Sequence, residues 1–143
     1  MIRKAVLDDL DRIYEIESVS FENPWRKVSL EVEFHKDYAD IYVFVSDGVT
    51  AAYIITWNME SEAELITLAV DPIFRGKGIG MRLLEHALSL YEESVIWHLE
   101  VAADNEKAVS LYIRHGFENA GLIQNYYGEG RHAFRMSRFP NNY

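Results

Sequence analysis

Four side chains and one loop in this sequence are of types and spacings that could do chemistry. In Val95-Ile96-Trp97-His98-Leu99-Glu100-Val101-Ala102 the alternation of a strand puts Ile96, His98, Glu100 and Ala102 on one face. Glu100 there sits among apolar or small neighbours, and a partly desolvated carboxylate is a better proton acceptor than a solvated one. A lone Glu on an alternating strand is also what a plain solvent-facing position looks like, and His98 on the same face is a rival base. Just downstream, Asn105, Ala108 and Tyr112 fall at i, i+3 and i+7, which lines up an amide, a gap and a phenol on one helical face. The everyday roles of the two polar residues are a helix cap for Asn105 and a core aromatic for Tyr112. His86, His115 and His132 read as surface or helix-end residues.

The loop lies earlier. Leu65, Ile66, Leu68, Ala69 and Val70 read as a strand, Asp71-Pro72 breaks it, and Ile79, Leu83, Leu84, Ala87, Leu88 and Tyr91 recur with helical spacing. Arg75-Gly76-Lys77-Gly78-Ile79-Gly80-Met81 joins the two. The spacing predicts that glycines 76, 78 and 80 take positive φ and let the backbone lie against a ligand, while the unpaired amides of the first helical turn attract phosphate. Arg75, Lys77 and Arg82 add positive charge nearby. A nucleotide-hydrolase loop is excluded, because no Ser or Thr follows Lys77 and Asp71 stands where the first glycine would be. The dinucleotide fingerprint fits poorly as well, since these glycines recur at every second position.

Around these features the chain supplies a regular series of elements. Met1 to Val6 reads as a short strand, and Asp8 or Asp9 is placed to cap a helix carrying Leu10, Ile13, Tyr14, Ile16 and Glu17. Phe21-Glu22-Asn23-Pro24-Trp25 interrupts it with two aromatics, a lid or a plug, and Val28 to Phe34 is assigned to a second helix. Ile41 to Val45 and Ala51 to Trp57 flank Ser46-Asp47-Gly48 as a hairpin, and a third strand runs from Glu62 to Asp71. Strand, helix and strand through Ala102 imply a parallel pair with a right-handed crossover. A helix from Asp104-Asn105 ends at His115-Gly116, and Phe117 to Gln124 and Arg131 to Ser137 look like two last strands.

The 143 residues fit one domain, 1–143, and 49% hydrophobic with 26% charged residues argue for a folded globular chain. Without cysteine there is no disulfide, thiolate metal site or cysteine nucleophile. The sequence shows neither a signal peptide nor a membrane span, which points to the cytoplasm. Charge is uneven: residues 1–64 hold 6 Lys or Arg against 14 Asp or Glu, residues 65–143 hold 8 against 9. Nucleic acid is a poor partner for such a chain, and a basic or amine-bearing partner suits it better, although acidic surface also simply confers solubility.

The pattern Arg-x-x-Gly-x-Gly at 75–80 after a strand ending Ala-Val-Asp-Pro resembles the coenzyme A pyrophosphate loop of the GCN5-related N-acetyltransferases, the GNAT superfamily. Asn105-x-x-Ala108-x-x-Leu111-Tyr112-x-x-x-Gly116-Phe117 matches that superfamily's second motif. With Ile66 to Pro72, Leu84 to Ala87, Leu99 to Val101, Asn125-Tyr126-Tyr127 and Asn23-Pro24-Trp25, the resemblance narrows to the ribosomal-protein alanine N-acetyltransferases, the RimI type, over nearly the whole chain. It implies an α/β (α+β) GNAT fold: a mixed, twisted central sheet with helices on both faces and a splay between two central parallel strands. It also implies acetyl-CoA as donor, a protein N-terminal amine as acceptor, and no metal.

Carried over residue by residue, the resemblance puts Leu68, Ala69 and Val70 along the acetyl and pantetheine arm, and Gly76, Lys77, Gly78, Ile79, Gly80 and Met81 around the pyrophosphate, with Arg75 beside them. Asn105 is assigned to the coenzyme, the general base to Glu100 and the general acid to Tyr112. Two positions depart from the family pattern. Ala102 stands where many members carry Arg, and His132 precedes Ala133 where an acidic residue is usual; both bear on the acceptor. A transferase acting on lysine or small amines, and a non-catalytic acyl-CoA-binding module, are the competing functions.

Overall fold

The computed structural model describes residues 1–140. Its strands are β1 (Ile2–Lys4), β2 (Ala39–Ser46), β3 (Val49–Met59), β4 (Glu62–Val70), β5 (Ile96–Ala102), β6 (Glu118–Ile123) and β7 (Ala133–Arg138); its helices are α1 (Leu10–Ser20), α2 (Lys27–Glu33), α3 (Ile79–Leu90) and α4 (Glu106–Arg114). The strands form one sheet in the order β1-β2-β3-β4-β5-β7-β6, in which β4 and β5 are parallel and every other neighbouring pair is antiparallel. The expected mixed sheet is therefore present. Among the described residues no helix is long and apolar enough to cross a membrane.

Alternation along the strands sorts the core into two layers, one on each face. In β3, Ala52 and Ile54 pack with Leu83, Leu84 and Ala87 of α3, while Tyr53 and Ile55 pack with Ile13 and Ile16 of α1 and Leu30 of α2. All of these are at most 1% exposed, so each large aliphatic among them stabilises the fold by about 1.5–3 kcal/mol. The hairpin joining β2 to β3 turns through Asp47 and Gly48, both with positive φ, which matches the right-handed twist of the flanking strands.

The start of α1 differs from expectation. Asp9 does not cap it, because a 3-10 turn at Leu7–Asp9 leaves Asp9 in a helical conformation (φ −81°, ψ −9°), whereas a side-chain cap needs an extended one. Its carboxylate instead accepts from Arg3 at 2.8 and 2.9 Å and from the Val6 amide at 2.8 Å. The Arg3 hydrogen bond, helped by Val6, holds the Asp9 pKa below the usual carboxylate range.

The feature that makes a site is where the parallel pairing stops. The β4–β5 ladder runs only from Glu62↔Ile96 to Leu65↔Leu99, although β4 continues to Val70 and β5 to Ala102. On the other edge of β4 the register with β3 steps from Ile55↔Thr67 to Thr56↔Leu65, so Ile66 is an extra, bulged residue. A bulge bends its strand and sharpens the twist. It falls one residue beyond the last β4–β5 pair and carries the end of β4 away from β5.

Candidate active site

Where β4 and β5 part, a cleft of about 170 Å³ opens. Ile66, Thr67 and Leu68 form one wall, and Glu100, Val101 and Ala102 the opposite one. Helix α4 contributes Asn105, Ala108 and Tyr112, the face predicted from their spacing. A larger hollow of about 800 Å³, bordered by Leu88, Tyr91, His115 and Pro140, brings together none of the candidate residues.

The β4 wall presents main chain. Asp71 N donates to Ala51 O at 2.8 Å, so the residues at even steps from Asp71, Ala69 among them, turn their peptide groups to β3. Those of Leu68 and Val70 turn the other way, into the gap that β5 has left. Val70 O accepts there from Arg75 Nε at 2.9 Å. Of the three residues assigned to the coenzyme arm, Ala69 is thus the one whose peptide group is taken up by the sheet.

Beyond Val70 the glycine loop leads into α3. Asp71 anchors it: its carboxylate accepts from the Ile73 amide at 3.0 Å and from Arg12 of α1 at 2.6 Å, and these two contacts, in that order, lower its pKa. Gly76 (φ 80°) and Gly78 (φ 77°) take left-handed conformations, and Gly78 is the residue before α3 begins. No side chain caps that end, which leaves the first-turn amides of Ile79, Gly80 and Met81 available to an anion. Gly80 departs from the expectation of positive φ, because it already lies inside the helix. Its smallness serves packing, since a Cβ there would meet Val70 Cγ2 at 3.5 Å. The basic residues spread around the loop: Lys77 lies 5.6 Å from the centre of the Phe74 ring and Arg82 4.7 Å from that of Phe44.

The other walls present side chains. Tyr112 is 6% exposed, its ring edge-on to Phe117, and burial raises the pKa of its phenol well above the ordinary value. Tyr127, half-buried across the cleft, is pushed up to about 12, chiefly by burial, with Tyr126 and Glu100 adding to it. Both phenols hold their protons at neutral pH. Asn105 lines the cleft and also caps α4, its Oδ1 accepting from the Ala108 amide at 3.2 Å. Both of the roles open to it in the sequence are therefore compatible with its position. Glu100 Oε1 accepts from Arg135 Nη1 at 2.9 Å, and Arg135 Nη2 donates to Glu64 Oε1 at 3.1 Å.

His98, the rival base, is engaged elsewhere. Its Nδ1 pairs with Ser137 Oγ at 2.8 Å and its Nε2 with Glu62 at 2.7 Å, and it does not border the cleft. The α1–α2 loop brings Phe21 and Trp25 to the rim. Asn23 Nδ2 donates to Tyr127 O at 2.9 Å, and Arg131 pairs with Glu22 at 2.6 Å, so this loop and the β6–β7 loop are joined across the opening.

Glu17, which lines the cleft, and Arg135, which stands behind Glu100 outside it, have no functional role in the sequence pattern. Glu17 is 2% exposed, takes the Tyr53 hydroxyl and Thr67 Oγ1 on one oxygen and the Trp25 amide on the other, and so fixes the aromatic rim to α1. A signal for it existed, since Glu17 shares the apolar face of Leu10 and Ile13 at i+7 and i+4. Arg135 had none, because its partners depend on which strands lie side by side.

Comparison with known proteins adds to this geometry. Residues 10–117 match the acetyltransferase (GNAT) family. The [ribosomal protein bS18]-alanine N-acetyltransferase of Escherichia coli is 34% identical over 122 residues, covering 83% of this chain and 81% of that protein. The crystal structure of the ribosomal-protein-S18-alanine N-acetyltransferase from Escherichia coli superposes with a TM-score of 0.89, covering 96% of this chain and 92% of that one. In fold alone, Arabidopsis thaliana Naa50 in complex with the bisubstrate analogue CoA-Ac-MVNAL aligns with a TM-score of 0.81 at 24% identity, covering 96% and 97% of the two chains.

Proposed function

The chain belongs to the acetyltransferase (GNAT) family, and on that footing we propose how its cleft moves an acetyl group from acetyl-CoA to a protein N-terminal amine. The observation that carries the proposal is that Glu100 and Tyr112 border the same cleft, at the point where the two parallel strands part.

The donor side is main chain. The outward peptide groups of Leu68 and Val70 suit the amide-bearing arm of acetyl-CoA as an added strand would, and the turn at Gly76 and Gly78 with the bare end of α3 suits its pyrophosphate. Arg75, Lys77 and the amides of Ile79, Gly80 and Met81 complete that end, and Asn105 stands beside the arm.

The acceptor side follows from what amide formation needs. An α-amine has a pKa of about 7.7–8.0, so much of it is protonated at neutral pH and cannot attack. Glu100, directly or through a water, takes that proton. The freed amine attacks the thioester in a ternary complex, since the chain has no cysteine to carry an acetyl group. The Val70 amide faces the carbonyl oxygen as charge develops on it, and Tyr112 gives its proton to the departing thiolate. Burial keeps that phenol protonated at neutral pH, so the proton is in place when the thiolate leaves.

The acceptor we propose is a basic one, a ribosomal-protein N-terminus, in the cytoplasm. Support comes from the acidic first part of the chain and from the relative in Escherichia coli, whose name specifies a ribosomal protein. Incubation with labelled acetyl-CoA and a panel of N-terminal peptides, lysine peptides with blocked N-termini and small amines tests this. Label is expected on the α-amine of the N-terminal peptides; label confined to lysine or polyamine would assign the cleft to side-chain or small-amine acetylation.

A further inference from the structure

Glu100 does not stand alone on the cleft wall, and its partner comes from outside the cleft. Arg135 lies opposite Glu100 in the β5–β7 ladder, so its side chain starts on the far side of β5 from β4. It reaches over β5 to give one guanidinium nitrogen to Glu100 at 2.9 Å and the other to Glu64 of β4 at 3.1 Å. Glu64 precedes by one residue the last paired position of β4, Leu65. The guanidinium therefore bridges three strands at the fork where the cleft begins. The three side chains are 30%, 25% and 19% exposed for Arg135, Glu100 and Glu64, so water weakens their attraction less than at an open surface.

We propose that Arg135 is a positioning residue for the acceptor reaction: by binding one oxygen of Glu100 while its other arm is held by Glu64, it fixes the carboxylate so that its second oxygen faces the amine. The proposal rests on the assignment of Glu100 as the base. A free glutamate has three rotatable bonds and loses rotamer freedom when it is ordered; a planar fork held at both ends holds it in place beforehand. Glu64 has a second effect. Its carboxylate on the other arm offsets the guanidinium charge that Arg135 brings beside Glu100. The same arrangement predicts what happens without the arginine: two carboxylates on neighbouring strands are left facing each other, and Glu100 is pushed away from its place. His98 cannot substitute, since both its ring nitrogens are committed to Ser137 and Glu62.

The test compares Arg135→Leu, Arg135→Lys, Glu64→Gln and the double variant Arg135→Leu/Glu64→Gln with wild type and Glu100→Gln. It reads kcat and KM for an N-terminal peptide, acetyl-CoA affinity by calorimetry, and the melting curve. Arg135→Leu is expected to lose on the order of tenfold in kcat, as a misplaced catalytic group does, with acetyl-CoA affinity unchanged. Adding Glu64→Gln should recover part of that loss by removing the repulsion, and Arg135→Lys should fall between Leu and wild type. Wild-type kcat in Arg135→Leu with an inactive Glu100→Gln would overturn the positioning role and leave the base assignment standing. Wild-type kcat in both would remove the base assignment and the inference with it. A kcat loss that comes with lost acetyl-CoA affinity and is not recovered by Glu64→Gln would mean that the cleft has collapsed, and also overturns the role. Should Arg135→Leu fail to fold, wild-type kcat in both Arg135→Lys and Glu64→Gln gives the same negative answer.

Discussion

Past the fork at Leu65 and Leu99, the two sides of the cleft are made of different materials. Along β4 and into α3 the chain presents peptide groups: those of Leu68 and Val70 freed from any neighbouring strand, then the uncapped amides that follow Gly78. Facing them, the groups are side chains from separate elements, Glu100 from β5, Tyr112 from α4, Tyr127 from the loop after β6 and Trp25 from the loop after α1. Main-chain recognition depends on backbone path and on the absence of side chains, so it tolerates substitution except at glycine. Recognition by converging side chains depends on each residue type and on the ones behind it, here Glu17 behind Trp25 and Arg135 behind Glu100. Changes on the second side should therefore act on turnover, and changes on the first side on acetyl-CoA binding.

Glu100→Gln should break that comparison most visibly, lowering turnover by about a hundredfold or more, the usual contribution of a positioned base. The loss should be worst at low pH, where little amine is free, with acetyl-CoA affinity nearly intact; rate against pH with saturating peptide checks it. Near wild-type turnover would pass the base role to water.

Tyr112→Phe comes next, with a loss of roughly a hundredfold spread evenly over the pH range. Because burial raises the pKa of this phenol, the proton stays in place through neutral and mildly alkaline pH, and no alkaline limb of activity should arise from it there. The stability consequence has a defined sign. A phenol whose folded pKa exceeds the unfolded value of about 10 stabilises fully below that pH and progressively less above it. Alkaline melting curves should therefore show less loss in Tyr112→Phe than in wild type.

On the main-chain side, Gly78→Val places a branched residue at φ 77° and should lower stability by about 1–2 kcal/mol. In the folded variant, acetyl-CoA binding should weaken while turnover at saturating coenzyme changes much less. An unchanged affinity by calorimetry would take the pyrophosphate away from this loop. The smallest effect expected is a rise in KM for a basic peptide as salt is added, because the acidic first part of the chain acts over distances that 0.15 M salt screens to about 8 Å. A flat salt titration would reduce the charge asymmetry to a matter of solubility.

Local pattern was enough wherever the physics is local. Alternation on Val95 to Ala102 correctly separated the buried Trp97, Leu99 and Val101 from Glu100, and the i, i+3, i+7 spacing of Asn105, Ala108 and Tyr112 put all three on the cleft. The left-handed backbone at Gly76 and Gly78 is likewise a property that only glycine provides cheaply, so the sequence carries it openly. Gly80 was misjudged because small size and positive φ leave the same letter in a sequence. Three things were decided by the assembled sheet. The bulge at Ile66 depends on the register between β3 and β4, and with it the opening of the cleft. The engagement of His98 by Glu62 and Ser137 depends on β5 lying between β4 and β7, as does the bridge of Arg135 to Glu64 and Glu100. These contacts join residues 35 to 71 positions apart, beyond any periodicity, and they form only when strand order brings their backbones within about 5 Å.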